Sequence, residues 1–481
     1  MSHFESLDLL FHPRSIALAG ITTANPEHWT RVFLDALTEI GFERPIYLVN
    51  PKGGEIQGYK VYKSLRDIPG TVDYVISTVP AQASPGLVEE CDTKGVRAIH
   101  FCTAGFSETG EEEGARLEAQ LVEASRRKGI RIIGPNCMGI YCPQSRLSFG
   151  IGFPQQSGHV AFVSQSGGNA GSLVRQAAWR GVRFSKVISY GNACDLNESD
   201  FLEYLADDPD TKIIGLYIEG VKDGARFHRA LERAAKEKVV VLLKGGITHG
   251  GTRAAAGHTG SLAGAEVIWD ALCRQFGIIR VYSLEEMADI LQTLLFMPIP
   301  NGRNVALIGA GGGNSVLVAD EFEKKGLIVP QLPQEIIHRI REFSPAAGNI
   351  LRNPIDYSQT IMETGKLGEL VSIVSGWESI DFLIGFLDLG GFASPQSLGS
   401  GALSRWADGM FEMIPASSKP IAMVPQLSVV PEDVNELMII AQAFVSSQVP
   451  TYMSFAGAAT SINLLLTYKE SYPGRLKALR V

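Results

Sequence analysis

The stretch His159-Val-Ala-Phe-Val-Ser-Gln-Ser-Gly-Gly168 decides the fold. Its first half is a short apolar run with the composition of a buried strand, and its second half is a glycine turn that opens a helix. The same strand–turn–helix unit recurs on both sides. Downstream come Ser185-Lys-Val-Ile-Ser189, Ile213-Ile-Gly-Leu-Tyr-Ile218 and Val239-Val-Val-Leu-Leu243. Upstream lie Ser15-Ile-Ala-Leu-Ala-Gly20, Pro45-Ile-Tyr-Leu-Val-Asn50, Tyr74-Val-Ile-Ser-Thr-Val-Pro80, Val96-Arg-Ala-Ile-His-Phe101 and Ile130-Arg-Ile-Ile133, and Thr30 to Ile40 has helical spacing. After the Pro- and Gly-rich segment Phe296-Met-Pro-Ile-Pro-Asn-Gly-Arg303, a third series begins, with strands expected at Val305–Ile308, Phe382–Phe386 and Pro420–Val424. Strands alternating with amphipathic stretches predict an α/β protein of parallel sheets flanked by helices, here in three layers.

A chain of 481 residues is long for one core, and 45% hydrophobic with 20% charged residues describes a compact globular protein. A net charge of -8 without a basic stripe excludes nucleic acid and anionic lipid as main partners. Nothing approaches the apolar length that spans a bilayer, so no membrane partner is expected. The start, Met1-Ser-His-Phe-Glu-Ser, has neither the basic residues nor the apolar run of a secretory signal. Six cysteines are too sparse for a disulfide scaffold, and Cys137 and Cys142 lack a second pair or a nearby histidine to make a metal site. Reduced thiols, a cytoplasmic setting and no metal are the expectations.

Four glycine turns follow expected strands and open expected helices: Gly20-Ile-Thr-Thr, Ser164-Gln-Ser-Gly-Gly168, Lys244-Gly-Gly246 and Gly309-Ala-Gly-Gly-Gly313. Such turns aim backbone N–H groups and the positive helix end at an anion. None matches a dinucleotide fingerprint or a Walker A loop, and each alone reads more readily as a tight structural turn than as a binding site. A second cluster, Thr252-Arg-Ala-Ala-Ala-Gly-His258-Thr-Gly-Ser-Leu-Ala-Gly264, sets one histidine among small residues. A neutral imidazole there is able to attack phosphorus and later release the phosphoryl group. A histidine nucleophile needs a carboxylate to fix its tautomer, and Glu219 stands at the end of the strand Ile213–Ile218; the bland alternative is a solvated rim carboxylate. Glu111–Glu113, His12, His159, His249 and the helix Glu232–Lys238 read as solvated surface.

Together these segments resemble the NDP-forming acyl-CoA synthetases, among them the ADP-forming acetyl-CoA synthetases and, more distantly, the α subunit of succinyl-CoA synthetase. Asn50-Pro-Lys-Gly, Ala104-Gly-Phe, Gly134-Pro-Asn-Cys, Phe162-Val-Ser-Gln-Ser-Gly, Tyr204-Leu-Ala-Asp-Asp-Pro, Tyr217-Ile-Glu-Gly and Gly257-His-Thr-Gly-Ser-Leu-Ala-Gly carry the likeness, the last most specifically. The resemblance implies a Rossmann-like CoA-binding domain over 1–147 and two flavodoxin-like domains over 148–297 and 298–481. It implies that His258 is phosphorylated and that Glu219 orients it. Ser166, Gly167 and Gly168 would hold the phosphohistidine from one helix N-terminus, and Gly311, Gly312, Gly313 and Asn314 from another. Lys52 would neutralise a CoA phosphate, with Gly20, Val79, Pro80, Thr103, Ala104 and Asn136 lining the rest of that site.

The implied reaction joins a small carboxylic acid and CoA at the expense of ATP or GTP, through an acyl phosphate and phospho-His258. The sequence offers no ATP-grasp segment, so a separate ATP-grasp β subunit, holding nucleotide and Mg in a heterotetramer, is expected. The first loop departs from the family pattern: Glu27 and Trp29 stand where CoA phosphates would approach. That departure keeps open a sensor paralogue that binds a CoA ester or nucleotide without turnover. An NAD-dependent oxidoreductase is the weaker alternative, since Gly20 alone is not its fingerprint.

Overall fold

In the computed structural model, which describes residues 3–22, 24–25, 27–259, 266–309, 311–344, 349–357, 365–388, 402–426 and 431–476, the apolar runs form the interior strands of three sheets. The first sheet contains β1 (Ile16–Ala19), β2 (Ile46–Val49), β3 (Gly54–Ile56), β4 (Tyr59–Tyr62), β5 (Tyr74–Ser77), β6 (Ala98–Phe101) and β7 (Arg131–Ile133). Their order is β3-β4-β2-β1-β5-β6-β7, parallel throughout except for the β3–β4 hairpin. β1, β5 and β6 are buried at every position, as expected of parallel strands covered on both faces. Connections leave β1 toward β2 on one side, and β5 continues the sheet on the other. The crevice where ligands collect in open sheets of this kind therefore lies between the ends of β1 and β5.

The second sheet contains β8 (Gly139–Tyr141), β9 (Val160–Ser164), β10 (Phe184–Ser189), β11 (Ile213–Ile218), β12 (Val239–Lys244) and β13 (Ile279–Val281), in the order β13-β12-β11-β9-β10-β8. Only β8 runs antiparallel to its neighbour. The third contains β14 (Val305–Gly309), β15 (Ile350–Leu351), β16 (Ile355–Asp356), β17 (Phe382–Asp388) and β18 (Ile421–Gln426), in the order β15-β16-β14-β17-β18.

The chain divides into two compact units. One comprises residues 1–178, 183–287 and 475–481 and holds the first two sheets; the other comprises 179–182 and 288–474 and holds the third. Within the first unit the two sheets are joined by backbone. Residues 192–196 run alongside the end of β7, with Asn192, Cys194 and Leu196 donating N–H groups to the carbonyls of Pro135, Gly134 and Ile132 at 3.0, 3.0 and 3.1 Å. Only glycine fits at 191, where a Cβ would stand 2.2 Å from the Pro135 carbonyl oxygen. Arg131 adds a bidentate pair to Asp195 at 2.9 and 3.2 Å. His12, read above as solvated, is half-buried and bonded through Nδ1 to Ser145 Oγ, with burial pushing its pKa below the usual histidine range. At the start of the chain, Phe11 stacks on Tyr204 at 4.8 Å. All six cysteines are free thiols.

Candidate functional site

β9, β11 and β12 are neighbours in register, with Ser164 beside Tyr217 and Ile218 beside Lys244. That register brings the turn after β9, the residues after β11 and the end of β12 to one edge. Ser166 caps the helix Gly167–Trp179, its Oγ accepting the N–H of Asn169 at 3.3 Å. Gly167 approaches Met138 so closely that a Cβ would meet Met138 Cγ at 2.7 Å, whereas a Cβ at Gly168 would have only Ser166 Oγ nearby, at 3.9 Å. The side chain of Gln165 brackets the turn to the next strand end: its Oε1 accepts the N–H groups of Glu219 and Gly220 at 2.8 and 3.1 Å.

Glu219 is 4% exposed, which removes the reading as a solvated rim carboxylate. The Tyr217 hydroxyl donates to its Oε1 at 3.0 Å, and Lys244 Nζ donates to its backbone carbonyl at 2.7 Å. Lys244 also reaches the carbonyl of Gly245, at the start of the turn into the helix His249–Thr259. Burial first, and then the charge of Arg280, lower the Lys244 pKa to about 8. The result is a carboxylate fixed at backbone, side chain and strand end beside an uncapped-by-acid helix N-terminus. His258 belongs to the helix His249–Thr259, but its side chain lies outside the described residues. That helix packs beside the 3₁₀ turn Ser107–Thr109, which follows β6 in the first sheet.

The residues expected to line a CoA site gather at the β1–β5 crevice and the neighbouring strand ends. Gly20 has φ +92°, and a Cβ there would stand 2.7 Å from the backbone of Thr78 and Val79, so only glycine lets the chain turn this close to β5. Thr103 Oγ1 donates to the Val79 carbonyl at 2.6 Å, and Asn136 N–H donates to the Thr103 carbonyl at 3.0 Å. These bonds fix the ends of β5, β6 and β7 as one surface. Lys52 is exposed on the turn after β2, where its N–H donates to Asn50 Oδ1 at 3.0 Å. Pro80 and Ala104 are exposed, and Val79 is half-buried. The loop Gly105–Phe106 is held by Glu108, which accepts their N–H groups at 2.5 and 3.1 Å. Asn192 of the second sheet's side donates to Glu108 at 2.5 Å and to Glu118 at 3.0 Å. One exposed lysine, small side chains and open strand ends suit an anionic, extended ligand. Trp29 is 52% exposed and Glu27 is exposed as well, so neither fills the crevice.

In the second unit, Gly311 (φ +107°) precedes the helix Gly312–Lys324 after β14. Its N–H donates to Asp356 Oδ1 at 3.1 Å, and Ser315 Oγ donates to its carbonyl at 3.1 Å. Gly313 has open space where a Cβ would stand, and Asn314 is half-buried.

Residues 14–143 match a family model described as a CoA binding domain, and 157–294 match one described as a succinyl-CoA ligase like flavodoxin domain. Over 350 residues the chain is 41% identical to the alpha subunit of an ADP-forming acetate–CoA ligase (II) of Pyrococcus furiosus, covering 73% of this chain and 76% of the relative. The chain belongs to the NDP-forming acyl-CoA synthetase family. A second member, the ADP-forming acetate–CoA ligase I of Archaeoglobus fulgidus, is 36% identical over 384 residues, which are 79% of this chain and 55% of the relative. Among solved structures, the dinucleotide forming acetyl-coenzyme A synthetase 1 of Ca. Korarchaeum cryptofilum, in complex with phosphate and ADP, superposes with a TM-score of 0.78 at 29% identity and 99% coverage of both chains.

As a synthetase of this family the chain is an acid–thiol ligase of the α type, with a CoA-binding domain ahead of the flavodoxin-like part. No helix among the described residues is long and apolar enough to cross a membrane. Three side chains at this edge were given no role by the sequence reading: Gln165, Tyr217 and Lys244. Gln165 stands in a glycine turn and Tyr217 in an expected strand, and neither side chain was singled out there. The available signal was Lys244, a charge closing the wholly apolar strand Val239–Leu243.

Proposed function

We propose that this chain is the CoA-binding, phosphohistidine-carrying subunit of an NDP-forming synthetase that converts a small carboxylic acid to its CoA thioester. Two features of one edge support the reading most directly. Glu219 is immobilised beside the Ser166–Gly168 turn, and the helix that carries His258 starts there and packs beside the turn after β6. The carrier helix therefore adjoins both the expected phosphate turn and the loop that follows Thr103 and Ala104.

In the synthetic direction His258 takes the γ-phosphoryl group of the nucleotide, releasing the diphosphate, and passes it to the carboxylate to make the acyl phosphate. The CoA thiol then attacks the acyl carbon and inorganic phosphate leaves. In reverse, His258 takes the phosphoryl group from the acyl phosphate as the carboxylate departs. Glu219 accepts the N–H on the other ring nitrogen, holding the tautomer that attacks phosphorus and stabilising the charge that develops. The N–H groups at Gly167 and Gly168 receive the phosphoryl oxygens, and Gly311, Gly312, Gly313 and Asn314 form a further phosphate-binding turn within the second unit. Lys52, Gly20, Val79, Pro80, Thr103, Ala104 and Asn136 bind CoA, which supplies the thiol. A separate ATP-grasp subunit holds the Mg-nucleotide, ATP or GTP, and assembles with this chain as a cytoplasmic heterotetramer. The two-subunit arrangement is supported by the subunit naming of the Pyrococcus relative.

The test is phosphopeptide and intact-mass analysis after incubating the chain with inorganic phosphate and a panel of acyl-CoAs, with His258→Ala in parallel. An acid-labile phosphoryl group on His258, formed with one acyl-CoA and missing in the variant, is the expected result. Absence of label with every acyl-CoA, for a folded chain supplied with a candidate partner subunit, overturns it.

A further inference from the structure

Arg280 lies in β13, paired in register with Leu242 of β12. Residues two apart on a strand share a face, so Arg280, Leu242 and Lys244 line the same side of this sheet edge. The helix Glu266–Phe276 covers that side: the Trp269 ring lies 5.4 Å from Lys244 Nζ, and Cys273 stands one turn further along. The Tyr282 ring, 57% exposed, lies 5.4 Å from the Arg280 guanidinium carbon and forms the outer wall.

All three side-chain nitrogens of Arg280 are buried, and among the described residues no oxygen accepts from them; their hydrogen-bonding neighbour is the Cys273 thiol, a weak acceptor. A guanidinium holds its charge at any ordinary pH, so this is a desolvated cation with unmet donors. Beside it is a second buried cation, Lys244, which is 3% exposed. The carboxylates in the neighbourhood do not answer the pair. Glu219 acts on Lys244 more weakly than Arg280 does, and Asp270 acts on Cys273 and Tyr282. Buried like charges without a counter-ion are unfavourable, and a planar fork of N–H groups matches the oxygens of one oxyanion.

We propose that Arg280, with Lys244 beside it, forms a phosphate subsite at the β12–β13 edge, walled by Trp269, Cys273 and Tyr282. β13 is three strands from β9, so the subsite stands about 14 Å from the Ser166–Gly168 turn at the usual strand spacing. The choice of phosphate over another oxyanion rests on the phosphoryl transfer proposed above. The ligand is either inorganic phosphate or the phosphoryl group on His258. In both cases Arg280 gives it a resting place apart from the helix N-terminus.

Thermal unfolding of the full chain, in chloride and in inorganic phosphate at equal ionic strength, tests the subsite in wild type, Arg280→Met, Arg280→Lys and His258→Ala. In chloride, Arg280→Met should unfold at the same or a higher temperature than wild type, because it removes an unanswered charge. Phosphate should raise the wild-type midpoint several degrees more than that of Arg280→Met, with Arg280→Lys between them and His258→Ala like wild type. If the phosphoryl group on His258 is the ligand, the phosphate shifts are equal, but the acid-labile label decays several-fold faster at neutral pH in Arg280→Met. A midpoint several degrees lower in chloride makes Arg280 a structural residue and overturns the subsite. So do equal phosphate shifts together with equal label lifetimes. If His258 labels normally while Arg280 alters neither quantity, the subsite falls alone. If His258 never labels but the phosphate shift depends on Arg280, the subsite stands and the transfer reaction falls.

Discussion

Two of the glycine turns that open helices from strand ends are spelled alike and held differently, Ser164-Gln-Ser-Gly-Gly168 in the first unit and Gly309-Ala-Gly-Gly-Gly313 in the second. At the first, neutral groups do the holding: Ser166 Oγ accepts the N–H of Asn169, and Gln165 ties the turn to Glu219 and Gly220. At the second, the N–H of Gly311 donates to a carboxylate, Asp356, which is 6% exposed. An acid next to a helix N-terminus already answers part of the helix dipole. Among the described residues, similar glycine spelling therefore yields one end with no acid bonded to its backbone and one with an anion built in. Wiring to the carboxylate proposed to orient His258 distinguishes them as well, because Glu219 belongs to the first.

The sharpest way to break this asymmetry is to neutralise each acid in turn. Glu219→Gln keeps the shape but loses the charge that favours the attacking tautomer. His258 labelling should slow by about 100-fold or more, the range of a lost acid–base partner, with little change in unfolding temperature. Asp356→Asn should slow it by less than about 10-fold, since no carboxylate function in the transfer is assigned to it. Single-turnover labelling rates of both variants decide the matter: equal losses mean that the turns are equivalent and the comparison is wrong. Tyr217→Phe comes next. It removes one hydrogen bond to a carboxylate oxygen, at 3.0 Å, and such bonds contribute about 1.5–3 kcal/mol. A slowing of labelling of about tenfold or more, with KM for acyl-CoA unchanged, is expected; an unchanged rate makes the tyrosine a packing residue only.

Much of this was legible because burial writes itself into composition. β9 and β12 are runs of apolar residues, and parallel strands covered on both faces must be. The hairpin β3–β4 and the three-residue β8 were not legible, since Gly54–Ile56, Tyr59–Tyr62 and Gly139–Tyr141 are too short and mixed to show a period. Glu219 was found as a strand-end acid, but the groups that hold it were not. Tyr217 and Gln165 meet it only because β11 lies beside β9 with Tyr217 opposite Ser164. Asp356 was missed for the same reason, being brought to Gly311 by the pairing of β16 with β14. Register, which one sequence does not spell out, decides all three.

The glycines of the first turn sharpen the comparison from inside. At Gly168 a Cβ has open space, so Gly168→Ala should stabilise the helix, by up to about 1 kcal/mol. If phosphoryl oxygens rest on that N–H, the same methyl group obstructs them. A higher unfolding temperature combined with slower labelling is therefore expected, and faster or unchanged labelling removes Gly168 from the cradle. Gly167→Ala should do the opposite to stability, because its Cβ would press on Met138 Cγ at 2.7 Å. Gly313→Ala in the second turn, also with open space, is the control: stabilised in the same way, it should slow labelling less.

The smallest expected effect is a pH dependence that belongs to the first turn alone. Lys244 has its pKa lowered to about 8 in the folded chain, chiefly by burial, against about 10.4 when unfolded. Between those values the unfolded chain keeps a proton that the folded chain has given up, so stability from this group rises with pH across the window. Below about pH 8 the buried ammonium is charged in both states and its full unfavourable contribution is present. Lys244→Met removes the titration together with the bonds to the Glu219 and Gly245 carbonyls. Unfolding temperatures of wild type and Lys244→Met, compared from pH 7.5 to 10, should therefore shift in favour of wild type as pH rises. Parallel curves mean that Lys244 stays charged in the fold. The two cations at the β12–β13 edge would then have to be neutralised by something other than the loss of a proton.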